Sequence, residues 1–575
     1  MANLEELLTQ RLAPAFEAVA GRPVDPVIRR SQHADFQADG ALALARSLST
    51  SPRDIAVQVL QQAELEDLCP AVEISGPGFI NLTLANEVLA RLLAGINRDE
   101  RLGVPLAEHR ETITVDYSAP NAAKEMHVGH LRSTIIGDAA VRLLEWVGHR
   151  VIRQNHIGEW GTPFGMLIEH LLDIGEVEAA NELSVGDLNG FYQSARRKFD
   201  ADEVFKDRAR RRVVLLQGGD ETTLRLWRTL VEESKKYFLA VYARLDVRLT
   251  GDDFFGESCY NDQLQSVVDE LDKLELLQLS EGAKCVFPAG YRNRHGDPLP
   301  LIVQKSDGGF GYAATDLATI RRRIRDLHAS RLLYVVGLPQ RQHFEMVYQV
   351  ARDAGWLVPP VRAEHVGHGS ILGADGKILR TRAGVSVKLV DLLDEAVARA
   401  TAVIAEKNPD LDEQTRAAVA KAVGIGAVKY ADLSTDRTKD YVFDYDRMLA
   451  FEGNTAPYLQ YAHARIRSIF RRAGIEPPRD VDEVTVTEPA EHALAIELLA
   501  FGKVVDEVVA SLEFHRLATY LYGLASAFTG FYERCPVLKA DSEVLRTNRL
   551  VLCELTAQTL ALGLDLLGIT APDRM

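Results

Sequence analysis

The stretch Val115 to Asp138, VDYSAPNAAKEMHVGHLRSTIIGD, constrains the fold more than any other part of the chain. The β-branched run Ile113, Thr114 and Val115 predicts a strand, Pro120 and Asn121 predict a turn, and an amphipathic helical pattern begins at about His130. At the loop-to-helix junction stand His127 and His130, with Gly129 between them and Lys124 just before. A helix starting at or before His127 would carry both imidazoles on one face near its N-terminus, where free N–H groups and the macrodipole favour an anion. Gly129 removes a side chain where a base or ribose could press on the backbone, and Lys124 adds a mobile cation. This combination suits phosphate. An H-x-x-H pair also occurs as two unrelated histidines or as half of a metal site, but no Cys or further His stands nearby to complete a metal set, so none is expected.

The rest of the chain extends this unit. Residues 1–105 predict a small α/β domain, with helical patterns at 3–20 and 39–65 and a strand pair in EISGPGFINLTL around its Gly-Pro-Gly turn. Residues 106–390 alternate strands and helices, which predicts a Rossmann-like doubly wound parallel sheet with ligands beyond the carboxyl ends of its strands. A second strand in HRVIRQNHIGEWGTPFGML runs into a Gly-rich, aromatic loop. Residues 171–250 are mostly charged helix and read as an insertion with a solvated face. The sheet is expected to resume with GDDFFGES, CVFP, LIVQKSDGGFGYAATDLATI and RLLYVVG, short apolar runs between helices. HGSILGADGKILRTRAG then carries Lys377, Arg380 and Arg382 on a Gly-rich loop, expected to be mobile enough to swing onto phosphates, although an ordinary basic turn has the same composition. From 391 to 575 the strands stop and a helical bundle is predicted. In the helix around 459–473, Arg465, Arg467, Arg471 and Arg472 flank an apolar stripe with no acidic residue among them, a pattern that fits a polyanion such as RNA or a merely solvated face.

Composition narrows the class. The 575 residues leave room for about three or four domains. No apolar run reaches membrane-spanning length, and the opening MANLEELLTQRL reads as a helix rather than a signal peptide, so a cytoplasmic protein without a membrane partner is expected. Five scattered cysteines without C-x-x-C spacing are expected to be free thiols. The net charge of −16 excludes a chain that is basic all over, but a local positive track suffices for nucleic acid.

SAPNAAKEMHVGHLRSTIIGD resembles the HIGH-motif region of class I aminoacyl-tRNA synthetases, specifically arginyl-tRNA synthetase. ADFQADGALALA is similar to that family's N-terminal additional domain, GES at 256–258 and YAATDLA at 312–318 to its catalytic core, and KYADLSTDRTKDYVFDYDRMLAFEGNTAPYLQYAHARIRSI with LGLDLLGITAPDRM to its anticodon-binding part. The resemblance implies an arginine–tRNA ligase that uses ATP with Mg²⁺, L-arginine and tRNA(Arg), and a monomer. His127, Gly129 and His130 would bind ATP, and Lys124, Lys377, Arg380 and Arg382 would assist catalysis. Asn121, Glu257, Tyr312, Asp316 and Gln340 would bind arginine, Tyr312 and Asp316 sharing a face if their segment is helical. Tyr458, Arg465, Tyr532 and Met575 would contact tRNA. A pocket built of polar acceptors rejects analogues that leave its groups unpaired by roughly 10⁴-fold or more, so no editing domain is expected.

The chain departs from the family pattern in three places. The second class I motif is reduced to KILRTRAG at 377–384, and Lys124 is expected to carry part of the missing cation's work. Asp39 stands where Asn is expected near the tRNA elbow, and Glu159 and Pro163 stand where Asp and Gln are commoner. Two rival functions fit parts of the pattern: an HxGH nucleotidyltransferase that works without tRNA, and a synthetase-like RNA-binding protein without catalysis. The helical C-terminal third argues against the first, and intact His127, His130, Glu257 and Asp316 against the second.

Overall fold

The run Thr112–Asp116 forms a strand, β1, of a four-stranded parallel sheet with β2 (Arg150–Gln154), β3 (Arg331–Tyr334) and β4 (Arg362–His365), in the order β4-β3-β1-β2. The computed structural model describes residues 3–175, 188–380, 386–478, 481 and 483–575. Ile113 and Val115 are fully buried, and all four residues of β3 are buried, as expected for inner strands covered on both faces. From β1 the chain passes to β2 on one side and returns later to β3 on the other. The carboxyl ends of β1 and β3 therefore flank a topological switch point, where open α/β sheets hold their ligands.

The helix after β1, Leu131–Trp146, is buried at every position from Leu131 to Leu144 and is not amphipathic as its pattern suggested. The Glu413–Leu433 helix packs against it, so it faces protein on all sides. Its polar residues find partners inside: Arg132 Nε lies 3.1 Å from Asp432, both side chains about 1% exposed, and Arg132 Nη1 donates to the Lys439 carbonyl at 2.7 Å.

Of the segments expected to resume the sheet, only RLLY does so. Ala283–Val286 pairs instead with Gln278–Ser280 on one side and Leu301–Gln304 on the other, in a separate antiparallel sheet. Ile302 is 45% exposed between buried Leu301 and Val303, the one-sided alternation of an antiparallel strand. GDDFFGES forms no strand, but its backbone runs alongside the loop after β2. Asn155 N–H donates to the Asp253 carbonyl (2.8 Å), Phe255 N–H to the Asn155 carbonyl (3.0 Å) and Glu257 N–H to the Ile157 carbonyl (3.2 Å). In the charged region, the helices Leu188–Ala201, Glu203–Gln217 and Glu221–Leu245 tie their charges largely to one another and to a neighbour. Arg208 and Arg212 each reach Glu169 at 2.7 Å, and Arg196 pairs with Asp200 at 2.8 Å.

By compactness the chain divides into Ala107–Ala450 with Leu566–Ile569, which contains the parallel sheet, and a second unit of Met1–Leu106, Phe451–Asp565 and Thr570–Met575. In the second unit, a four-stranded antiparallel sheet (Ile28–Arg30, Phe36–Ala38, Phe79–Thr83, Ala71–Ser75) carries the expected hairpin. The 39–65 pattern is two helices, Gly40–Leu48 and Pro52–Gln62, divided where Ser49 takes a left-handed backbone (φ 50°) and Pro52 opens the next helix. The helices Ala456–Ala473, Pro489–Leu499, Phe501–Ser511, Phe514–Arg534 and Glu543–Leu566 complete this unit. His492 ties its two parts together, with Nε2 3.0 Å from Asp35 and Nδ1 2.7 Å from Asn86. No described helix is long and apolar enough to cross a membrane.

Candidate active site

The α-helix begins at Leu131, so both histidines precede it: His127 is extended and caps a 3₁₀ turn at Val128–His130. They are brought together by that turn, not by helical spacing. Their ring centroids are 4.2 Å apart, tilted by 45°. His127 N–H lies 3.1 Å from His130 Nδ1, and Gly129 N–H 3.1 Å from His127 Nδ1. His127 Nδ1 accepts, so that ring carries its proton on Nε2 as a hydrogen-bond donor, while His130 Nδ1 lies between the His127 N–H and the His127 carbonyl (3.3 Å). Burial and then Lys124 lower the pKa of His127, while burial with His127 beside it takes His130 down to about 3. Both rings are therefore neutral at pH 7. A Cβ on Gly129 would sit 2.8 Å from the His127 ring, so glycine is needed here for the histidine itself. Lys124 is half-buried, its Nζ 4.5 Å from the Tyr192 ring centroid.

The basic loop is attached to this motif. Val128 N–H donates to the Val387 carbonyl (2.9 Å), Leu389 N–H to the Met126 carbonyl (3.0 Å), and Lys388 pairs with Glu125 at 2.9 Å. Its described part folds back as a hairpin: Gly373 N–H donates to the Lys377 carbonyl (2.8 Å), Leu379 N–H to the Ile371 carbonyl (3.0 Å), and Arg380 bridges Ser386. Lys377 and Arg380 are exposed on it, and Arg382 lies outside the described residues.

The five residues proposed for arginine come from four segments around the switch point. Asn121 follows β1, and Gly158 after β2 presses on it so closely that a Cβ there would be 2.4 Å from Asn121 Oδ1. Glu257 opens a 3₁₀ turn bonded to the same loop through its N–H and the Ile157 carbonyl. Tyr312 and Asp316 lie one turn apart on the Tyr312–Arg325 helix, as expected; Tyr312 is 77% exposed at the helix start. Gln340 is exposed after β3 and caps the Arg341–Asp353 helix, whose His343 Nε2 stands 2.6 Å from Asp316 Oδ2. Burial lowers the His343 pKa, but the Asp316 contact outweighs it and the net shift is upward. Burial, then the neighbouring Glu159, push Glu257 up to about 7.

Sequence reading missed His343 as a partner of Asp316, although Gln340 and His343 three apart signal a shared helix face. It also left Glu159 without a role. That carboxylate is 3% exposed and accepts from Ser258 Oγ at 2.6 Å. Pro163 falls in the first turn of the Thr162–Ile174 helix, where proline is well tolerated. Among the described residues no group of three His, Cys, Asp or Glu side chains could hold a metal ion.

On the Ala456–Ala473 helix, Tyr458 and Arg465 stand two turns apart, and Arg465 lies over the Tyr532 ring at 4.7 Å. The arginine stripe is only partly available to a ligand. Arg467 pairs with buried Glu554 at 2.7 Å, and Arg471 donates to the Asp573 carbonyl at 2.8 Å. The chain end that contains Met575 is held along this helix, with Gln460 donating to the Thr570 carbonyl (2.8 Å) and His463 Nδ1 3.1 Å from the Pro572 carbonyl. Asp39 precedes the Gly40–Leu48 helix, accepts from Gln37 Nε2 (2.6 Å) and lies 3.3 Å from Arg29, which offsets its charge.

The family model for the class I tRNA synthetase (R) catalytic domain matches residues 93–445, the arginyl-tRNA synthetase N-terminal domain matches 2–84, and the DALR anticodon-binding domain matches 459–575. The chain is 58% identical to an arginine–tRNA ligase of Thermobifida fusca over the whole of both chains, and 50% identical to one of Klebsiella pneumoniae, again over both in full. Among solved structures, the arginyl-tRNA synthetase of Plasmodium falciparum superposes with a TM-score of 0.85 at 28% identity, covering 100% of this chain and 99% of its own. That of Thermus thermophilus gives 0.82 at 26%, with both chains covered in full. From the order of the three matched domains and identity sustained along the whole length, this chain belongs to the arginyl-tRNA synthetase family of class I aminoacyl-tRNA synthetases.

Proposed function

We propose that the protein is an arginine–tRNA ligase that activates L-arginine with ATP and transfers it to the 3′ end of tRNA(Arg). The observation that carries the reading is the meeting of two unlike sets of groups at one switch point: neutral imidazoles at His127 and His130, and the carboxylates Glu257 on its 3₁₀ turn and Asp316 in the first turns of the Tyr312–Arg325 helix. Donors suit phosphate oxygens, and paired carboxylates suit a guanidinium.

Activation is an in-line attack of the arginine carboxylate on the α-phosphorus, which forms a carboxyl–phosphate bond as the bond to pyrophosphate breaks. It requires positioning and charge stabilisation rather than a side-chain nucleophile. Nε2–H of His127, with His130 beside it, would meet the phosphate oxygens as charge builds, with Gly129 letting the nucleotide lie against the turn. Lys124, Lys377, Arg380 and Arg382 would supply cations, and Mg²⁺ would enter with ATP as the nucleotide's counter-ion. Asn121, Tyr312 and Gln340 would complete the arginine site around the two carboxylates. Tyr458, Arg465, Tyr532 and Met575 would contact tRNA. Residues 1–105, 106–390 and 391–575 would serve tRNA-elbow contact, catalysis and anticodon binding, in a cytoplasmic monomer.

The deciding experiment is arginine-dependent ATP–pyrophosphate exchange with and without tRNA(Arg). Exchange only in the presence of tRNA is expected. Exchange without tRNA would favour a tRNA-independent nucleotidyltransferase, and none under either condition would favour an RNA-binding protein without catalysis.

A further inference from the structure

Glu159 occupies the loop after β2, where it faces the 256–260 turn. The two segments are bonded to each other. Glu159 accepts from the Ser258 backbone N–H (3.2 Å) and from Ser258 Oγ (2.6 Å), while Glu257 donates its own N–H to the Ile157 carbonyl (3.2 Å). The Trp227 indole fixes the loop from outside by donating to the Glu159 carbonyl at 2.7 Å. The result is a latched pair of segments with the Glu159 carboxylate enclosed between them, 3% exposed.

We propose that Glu159 is a positioning residue for the guanidinium subsite: through Ser258 it sets the turn that presents Glu257. The inference rests on Glu257 being a guanidinium acceptor. Two hydrogen bonds from Ser258 to one buried acceptor hold the turn in place, and a shift of that turn carries the Glu257 carboxylate with it. Burial raises both carboxyl groups to about 7; Lys235 from the Glu221–Leu245 helix and the Ser258 donors oppose the rise at Glu159, and Asp316 from the Tyr312–Arg325 helix adds to it at Glu257. Cys259 on the same turn is held as a thiol by burial and by Glu159, against the pull of Arg322 and Lys235.

The test is the arginine KM and the ATP KM in tRNA aminoacylation, each at a saturating level of the other substrate, for the full-length enzyme and for Glu159→Gln, Glu159→Asp and Ser258→Ala. Glu159→Gln keeps an oxygen that accepts from Ser258, so its arginine KM should stay within about threefold of wild type. Glu159→Asp withdraws the carboxylate by about 1.5 Å, one carbon–carbon bond, and Ser258→Ala removes the hydroxyl; each should raise the arginine KM about three- to tenfold without moving the ATP KM. The proposal is overturned if Glu159→Asp and Ser258→Ala leave the arginine KM unchanged, or if they shift the ATP and arginine KM values alike. Should the glutamine variant not fold, the latter two still decide the positioning role. A wild-type enzyme that fails to charge tRNA(Arg) would instead sink the functional reading on which the proposal rests.

Discussion

Replacing Asp316 by Asn isolates charge from shape in the proposed arginine site. The carboxylate is largely enclosed, with an 18% exposed side chain, and it lies 2.6 Å from His343 Nε2. Asn preserves volume and a hydrogen-bonding oxygen but removes the negative charge. A hydrogen bond to an ionised partner contributes about 1.5–3 kcal/mol, so losing it on the guanidinium should reduce kcat/KM for arginine about 10- to 150-fold, at 1.4 kcal/mol per factor of ten. Glu257 stays in place, which keeps the loss below that of an empty subsite. The assay is tRNA-dependent pyrophosphate exchange with arginine and ATP varied independently. Arginine KM should rise and ATP KM should hold. Citrulline, the neutral isostere, provides the control: preference for arginine over citrulline should shrink by the same factor. An arginine KM within threefold of wild type, or an ATP KM that rises in parallel, would refute the assignment of Asp316 to the guanidinium.

Lys124→Ala should depress adenylation far more than arginine binding, if this lysine stands in for the cation that KILRTRAG lacks; equal losses in both, by exchange kinetics and by arginine titration, would count against it. Asp432→Asn should leave the Arg132 guanidinium buried and uncompensated and destabilise the protein by about 3–5 kcal/mol, read by urea denaturation, because both side chains are about 1% exposed. His343 has a raised folded pKa, so its stabilisation is fully present below the unfolded value of about 6.5 and fades as pH rises through the folded one. A His343→Asn variant should therefore lose more Tm at pH 6 than at pH 8.5, and an equal loss at both would contradict the ion pair. Affinity for tRNA(Arg) should fall steeply with salt despite the net charge of −16, and a flat response would remove Arg465 as a phosphate contact.

Much of the catalytic unit was legible residue by residue. The β-branched run at 113–115, the Pro-Asn turn and the return of helical periodicity near His130 are local signals, and the structure places strand, loop and helix accordingly. Short apolar runs are another matter. CVFP, LIVQ and RLLY look alike in sequence, yet only RLLY is covered on both faces; the others form a small antiparallel sheet with Ile302 turned to solvent. The Leu131–Trp146 helix misled in the opposite sense, because the surroundings that bury its second face are supplied by segments such as Glu413–Leu433, hundreds of residues away. Arg467 in the helical stripe resembled a phosphate ligand until Glu554, 87 positions on, met it.

The sequence by itself determined the chemistry on offer: which residue types cluster around HVGH, where the chain turns, and, through family motifs, which side chains to place together. Tertiary structure alone decided how those groups act. The Gly129 backbone N–H binds Nδ1 of His127 and so makes that ring a neutral Nε2 donor, while burial keeps His130 neutral beside it. Asp316 acquires His343 from a different helix, and Glu159 acquires Ser258 across 99 positions. Periodicity and turn chemistry report on a few neighbouring residues, whereas burial, tautomer and ion pairing depend on which distant segments the fold brings within hydrogen-bond reach.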